Sequence, residues 1–117
     1  MFLLDHQQVQ HHHQGNRMYF KSAYQKKKDK LNKLRKSERY KKWRLDVFRR
    51  DNFTCVRCNI HGKYINAHHI KSFYKYKKLR FTVSNGVTLC RDCHGEFHAI
   101  YGVRDFTKKD LKEFLKT

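Results

Sequence analysis

The sequence predicts a small α+β domain: a basic helical segment, then a short strand hairpin and a helix, with one more helix at the C-terminal end. Three observations carry that expectation. Two Cys-x-x-Cys pairs, Cys55/Cys58 and Cys90/Cys93, bracket an insertion from Asn59 to Leu89. Inside it, Tyr64 to Ile70 alternates apolar and polar positions as a short strand does. Directly after it, Cys93 to Tyr101 reads as a helix closed by Gly102 as its left-handed cap.

Taken in chain order, residues 1–20 form a polar head whose Gln10-His11-His12-His13-Gln14 run reads as a disordered tail, with a metal-binding tract as the alternative; no role is assigned to it. Residues 21–42 lack Pro and Gly and are crowded with Lys and Arg, which predicts a basic helical arm. Ser37 is placed to N-cap a second helical piece, on which Tyr40, Trp43 and Val47, with Phe48 beside them, make an apolar stripe at helical spacing. That stripe is expected to pack on the cysteine core, leaving Lys41, Lys42, Arg49 and Arg50 free for phosphates. The compact domain is expected over residues 43–106. In residues 107–117, Thr107 and Asp110 resemble a capping box ahead of Leu111, Phe114 and Leu115, which predicts a terminal helix packed back on the domain.

Composition narrows the partner. A chain of 117 residues with a formal charge of +18 carries far more positive charge than solubility requires, so a polyanion is the expected partner. Apolar residues are too scattered for a membrane span. Met1-Phe2-Leu3-Leu4 is followed at once by Asp5, which ends any signal-peptide apolar region, so an intracellular protein is expected.

The cysteines point to metal. Two sulfurs separated by two residues bind one tetrahedral ion from a tight turn, and two such knuckles complete a four-cysteine structural zinc site. A core this small gains much of its stability from such a staple. The histidines suggest a second ion. His94 and His98 stand at i and i+4 on one helix face, a spacing at which two imidazoles share one metal. Neighbouring strand residues point to opposite faces, so His68 and His69 cannot do the same work from a regular strand. A hairpin folded over the helix would make His68 the third ligand and leave His69 free as a base.

At these residues the chain resembles the HNH endonucleases of the ββα-metal, or His-Me finger, class. The resemblance runs from about Trp43 to Gly102. It rests on Arg50-Asp51-Asn52-Phe53-Thr54-Cys55-Val56-Arg57-Cys58, on Ala67-His68-His69-Ile70, and on Asn85-Gly86-Val87-Thr88-Leu89-Cys90-Arg91-Asp92-Cys93-His94 with His98. It implies that His68, His94 and His98 bind the catalytic metal, that His69 is the general base and that Asn85 steadies the loop carrying it. Asn85-Gly86 also reads as a hairpin turn, and that alternative stays open. The implied activity is metal-dependent hydrolysis of DNA, leaving 5′-phosphate and 3′-hydroxyl ends, by a compact nuclease that suits phage or mobile-element biology.

The chemistry agrees with those roles. Hydrolysis of a phosphodiester needs a deprotonated water and positive charge beside the developing oxyanion. A neutral imidazole supplies the first, and one divalent ion, Mg2+, Mn2+, Ni2+ or Zn2+, supplies the second. The first turn of the histidine helix adds a favourable field for phosphate. Between the histidine strand and Asn85, Lys71, Lys75, Lys77, Lys78 and Arg80 alternate with aromatic rings and are candidates for the backbone of double-stranded DNA, while Phe73, Tyr76 and Phe81 are expected to cover the core. The reading from another class is a non-catalytic zinc-stabilised module binding DNA or RNA, which leaves His69 without a purpose.

Overall fold

The computed structural model describes residues 20–117, so most of the polar head, including the His/Gln run, lies outside the described residues. In order, the elements are α1 (Ala23–Arg35), α2 (Glu38–Arg50), β1 (Ile65–His69), β2 (Gly86–Cys90), α3 (Arg91–Tyr101) and α4 (Lys108–Leu115), with single 3-10 turns at Lys77–Leu79 and Val83–Asn85. The chain divides between Asn32 and Lys33 into two compact units. In the first, the Ser22 hydroxyl accepts the Gln25 amide and Asp29 takes up Lys21 and Gln25, local pairs that start the basic helix.

In the second unit, α2 begins where the sequence places it. Ser37 is extended, and its hydroxyl accepts the Tyr40 amide at 3.2 Å. Glu38 in the first turn and Arg49 and Arg50 in the last complement the helix dipole. Two successive residues at positive φ, Asn52 at 55° and Phe53 at 53°, end the helix and turn the chain into the first cysteine knuckle. Val56 N–H then donates to the Thr88 carbonyl at 2.9 Å, fastening that knuckle to β2.

β1 and β2 pair antiparallel in the register Ile65↔Cys90, Asn66↔Leu89, Ala67↔Thr88, His68↔Val87 and His69↔Gly86. Because side chains alternate along a strand, Ile65, Ala67 and His69 share one face of this ribbon and Asn66 and His68 the other. The two faces carry different cores. On one, Trp43, Val47 and Phe48 of α2 bury Ile65 and Ala67. On the other, Leu89 joins Cys55, Cys90 and Cys93 with Phe97 of α3, Phe106, and Leu111 and Phe114 of α4. The α2 stripe thus packs away from the cysteine core, contrary to expectation. The reason is register: the residues of β1 that can meet α2 are the odd-numbered ones, and the cysteine cluster belongs to the layer behind them.

The C-terminal elements close that second core. Thr107 and Asp110 make the reciprocal capping box, and Leu111 and Phe114 are buried, as the sequence predicts. Gly102 ends α3 at φ 86° and ψ 178°, a conformation essentially reserved for glycine but not the left-handed cap that was expected. Arg57, inside the first knuckle, links the layers. Its guanidinium pairs with Glu96 of α3 at 3.0 Å, reaches the Cys93 sulfur at 3.6 Å and lies over the Phe114 ring at 3.9 Å.

Candidate active site

The four cysteines are free thiols rather than disulfides, and their sulfurs all lie within 4.8 Å of one another. Cys58 and Cys90 sulfurs are 3.7 Å apart. A disulfide needs about 2.05 Å, whereas two sulfurs on a tetrahedral zinc at about 2.3 Å each stand roughly 3.8 Å apart. The knuckles are alike in construction: Cys58 N–H points at the Cys55 sulfur at 3.5 Å, and Cys93 N–H at the Cys90 sulfur at 3.4 Å. Burial and the neighbouring Cys90 sulfur push the Cys93 thiol up to about 12, while for Cys55 the amides of Cys58, Cys90 and Arg57 outweigh burial and bring the thiol to about 7. Such a set ionises as a whole only around a cation, so the donor chemistry fits zinc.

The histidine cluster sits on the same face of the ribbon as Leu89, where β1 lies over α3. His68 is 1% exposed, and its Nε2 is buried with no hydrogen-bond partner. Its ligand atom lies within 4.8 Å of those of His94 and His98. The two helix imidazoles are oriented from behind. Nδ1–H of His94 donates to the Asn66 side-chain oxygen at 3.2 Å, and Nδ1–H of His98 donates to the Gly102 carbonyl at 2.8 Å. Both protons are thereby placed on Nδ1, and the two Nε2 atoms face each other at 3.0 Å. Two lone pairs so disposed suit a shared cation, and nitrogens on a tetrahedral ion at about 2.05 Å stand roughly 3.3 Å apart. Burial foremost, with repulsion from the other imidazoles, drives His68 down to about 2 and His94 to about 4. His68 and His94 are therefore neutral and ready to ligate. An unpartnered buried nitrogen, two oriented imidazoles and an outer shell of acceptors fit one divalent ion.

His69 turns to the opposite face. Its Nε2–H donates to the Arg80 carbonyl at 2.9 Å, which leaves the lone pair on Nδ1. Burial, foremost, lowers its pKa to about 4. The ring lies flat on Trp43, with centroids 4.0 Å apart and planes 14° apart, and meets the edge of Phe73 at 5.1 Å. Trp43 is itself pinned, donating through Nε1 to the Thr82 carbonyl at 2.8 Å.

Asn85 ties down the loop on both sides of this imidazole. Its oxygen accepts Lys71 N–H at 2.8 Å, and its amide donates to the carbonyls of Lys71 at 3.0 Å and Leu79 at 3.1 Å. Those residues follow His69 and precede Arg80, so Asn85 fixes both the strand end and the acceptor that holds the imidazole. The hairpin-turn reading of Asn85-Gly86 fails: Asn85 closes a 3-10 turn, Gly86 is extended at φ −131°, and residues 70–85 separate the strands.

Gly86 has a different purpose. A Cβ there would stand 2.6 Å from Val47 Cγ2 and 2.7 Å from Trp43 Cζ2. Gly86 faces His69 across the ribbon, so its missing side chain is the space into which Trp43 slides to reach the imidazole. Gly86→Ala is expected to cost about 1–3 kcal/mol, the usual penalty of overpacking, read as a lowered melting temperature at unchanged zinc content.

The basic candidates divide. Lys41 pairs with Glu38 at 3.3 Å, Lys42 with Asp46 at 2.6 Å and Arg49 with Asp46 at 3.9 Å, all on their own helix. Arg50 departs from its expected role on a phosphate: it bonds Asp51 and the carbonyls of Val83 and Gly86, stitching α2 to β2. Arg80 departs further, since it is 7% exposed and donates to the carbonyls of Phe73 at 2.6 Å and Tyr74 at 3.3 Å. Lys75 meets Asp105 at 3.7 Å, Lys71 lies over the Tyr76 ring at 5.7 Å, and Lys77 and Lys78 are exposed. Of the loop rings, Phe73 is buried and Phe81 packs on the α2 core, but Tyr76 is 41% exposed and covers no core.

Sequence reasoning missed the supporting residues. Asn66 was legible, standing two residues before His68 and hence on its face of β1. Trp43 carried only the signal of helix packing, and nothing local marks it as the platform for His69.

Residues 55–99 match the family model described as HNH endonuclease, a span that holds all four cysteines and every histidine of the site. No curated protein and no solved structure matches the chain. The span that matches the HNH endonuclease family, residues 55–99, thus holds the two-stranded ribbon and helix that bring these four cysteines together and gather three histidines beside a fourth.

Proposed function

We propose that this domain is a metal-dependent endonuclease that hydrolyses phosphodiester bonds of double-stranded DNA, leaving 5′-phosphate and 3′-hydroxyl ends. The observation that carries the reading is the division of two adjacent histidines. His68 faces His94 and His98, while His69 is held on the other face by the Arg80 carbonyl with Nδ1 unprotonated.

His69 Nδ1 takes the proton of the attacking water. The water oxygen bonds to phosphorus, the bond to the 3′ oxygen breaks, and that oxygen leaves and takes a proton from a solvent water. Trp43 fixes the plane of the imidazole and Asn85 fixes the loop that supplies its acceptor, so the base needs no reorganisation when substrate arrives. His68, His94 and His98 would hold the divalent ion, which supplies positive charge to the phosphate and the leaving oxygen. Asn66 and Gly102 keep the two helix imidazoles turned toward it. The four cysteines would hold zinc as a structural staple. No helix among the described residues is long and apolar enough to cross a membrane, and we place the activity inside the cell, where DNA lies.

Supercoiled plasmid incubated with Mg2+, Mn2+, Ni2+ or Zn2+ tests the proposal. Relaxed or linear product that resumes on adding back the ion after chelation is expected, with ends that ligase rejoins. Plasmid bound by the protein but left supercoiled under every ion would overturn it and favour the non-catalytic DNA- or RNA-binding module.

A further inference from the structure

A second feature of the same unit lies away from the histidines. A cleft of about 340 Å3 is lined by Leu34, Arg39, Lys77, Lys78, Arg80, Phe81 and Thr82. Four of those seven residues are cationic, and none is acidic. The contrast with the other cations of α2 is informative. There, Lys41, Lys42 and Arg49 each face a carboxylate, whereas no ion pair among the described residues engages Arg39, Lys77, Lys78 or Arg80.

Arg80 makes the imbalance costly. It is buried, and among the described residues it donates to the neutral carbonyls of Phe73 and Tyr74. A buried charge with no counter-charge is unfavourable, and burial together with the nearby Arg35 pulls its pKa down. Arg35 and Arg80 both lie on the Phe73 ring, at 4.4 and 4.6 Å from its centroid, and neither pairs with a carboxylate among the described residues. Arg39 is likewise set, its guanidinium 4.3 Å from the centre of the Phe81 ring that lines the cleft. Flat guanidinium held on a ring keeps its edge donors available and loses little freedom on binding an oxyanion.

We infer that this cleft is a seat for a backbone phosphate of the DNA, held by Arg39, Lys77 and Lys78 with the buried charge of Arg80 beneath. The assignment rests on the proposal that DNA is the substrate, and adds where its backbone is gripped. The place is suggestive for a mechanical reason too: the Arg80 carbonyl that holds His69 belongs to a residue lining the seat. A phosphate bound there registers the strand against the base. Such contacts position the duplex without reading its sequence.

The test is the full-length triple variant Arg39→Ala/Lys77→Ala/Lys78→Ala, compared with Lys41→Ala/Lys42→Ala, with melting temperature and zinc content confirming the fold of both. Anisotropy of a labelled duplex across a salt series, without added catalytic ion, reads affinity apart from cleavage. The triple variant is expected to lose about tenfold or more in affinity, since charge-assisted bonds are removed, and its log-log salt slope should become shallower by about one. The control should stay within about twofold, because surface pairs on their own helix contribute little. Inorganic phosphate titrated against labelled protein should shift the amides of residues 77–82 in the parent and not in the triple variant. An unchanged slope, or phosphate shifts confined to other segments, would overturn the seat. Because none of these readings requires strand cleavage, an inactive but phosphate-binding protein would count against the nuclease proposal alone.

Discussion

His69→Ala is expected to abolish strand cleavage while catalytic-metal affinity and duplex binding stay near those of the parent, whereas His68→Ala is expected to lose both cleavage and metal. The asymmetry follows from β1, which sends the two side chains to opposite faces. His68 is buried beside His94 and His98 with its Nε2 unpartnered among the described residues, and His69 is committed to Trp43 and the Arg80 carbonyl. Removing a base that acts in the transition state costs on the order of 100- to 10,000-fold. Removing one of three ligands strikes metal affinity first. Calorimetric titration of Mn2+ or Ni2+ into each purified variant, beside plasmid relaxation, separates the two. Equal loss of metal from both would contradict the division of labour.

The second large effect concerns the cysteines. Cys55→Ser or Cys90→Ser is expected to leave an unfolded, zinc-free chain rather than a folded inactive one. Structural zinc contributes about 10–16 kcal/mol of folding free energy in small modules. That exceeds the roughly 3–5 kcal/mol lost when a buried Trp or Phe such as Trp43 or Phe97 is cut to alanine, and it is comparable to the whole stability of a typical domain, about 5–15 kcal/mol. Cys55 and Cys90 also stand inside the core shared by Phe97, Phe106 and Phe114, so the damage is not confined to one knuckle. Circular dichroism with zinc content by atomic absorption checks the outcome. A folded, zinc-free Cys55→Ser protein that still binds DNA would remove the four-cysteine site from the scaffold.

Much of this was legible in the chain, for a definable reason. Cys-x-x-Cys knuckles, the i, i+4 histidines, the Ser37 cap and the Thr107/Asp110 box are all local: a few neighbouring residues and a fixed backbone geometry determine what their side chains can reach. Strand alternation extended that to His68 and His69, assigning opposite faces before any tertiary contact was known. What the sequence could not say is which element meets each face. The α2 stripe was recognisable as apolar, but its docking on the His69 side depends on the register of β1 against β2 and on Gly86 leaving room for Trp43. Asn85-Gly86 also read as a turn, until the Asn85 amide was seen to clamp Lys71 and Leu79. The basic residues were the least legible. A lysine or arginine in a sequence carries only its charge; what stands opposite it is decided by the folded chain, which gives Lys42 a carboxylate one turn along its own helix, Arg80 the Phe73 carbonyl and Arg39, among the described residues, no acid.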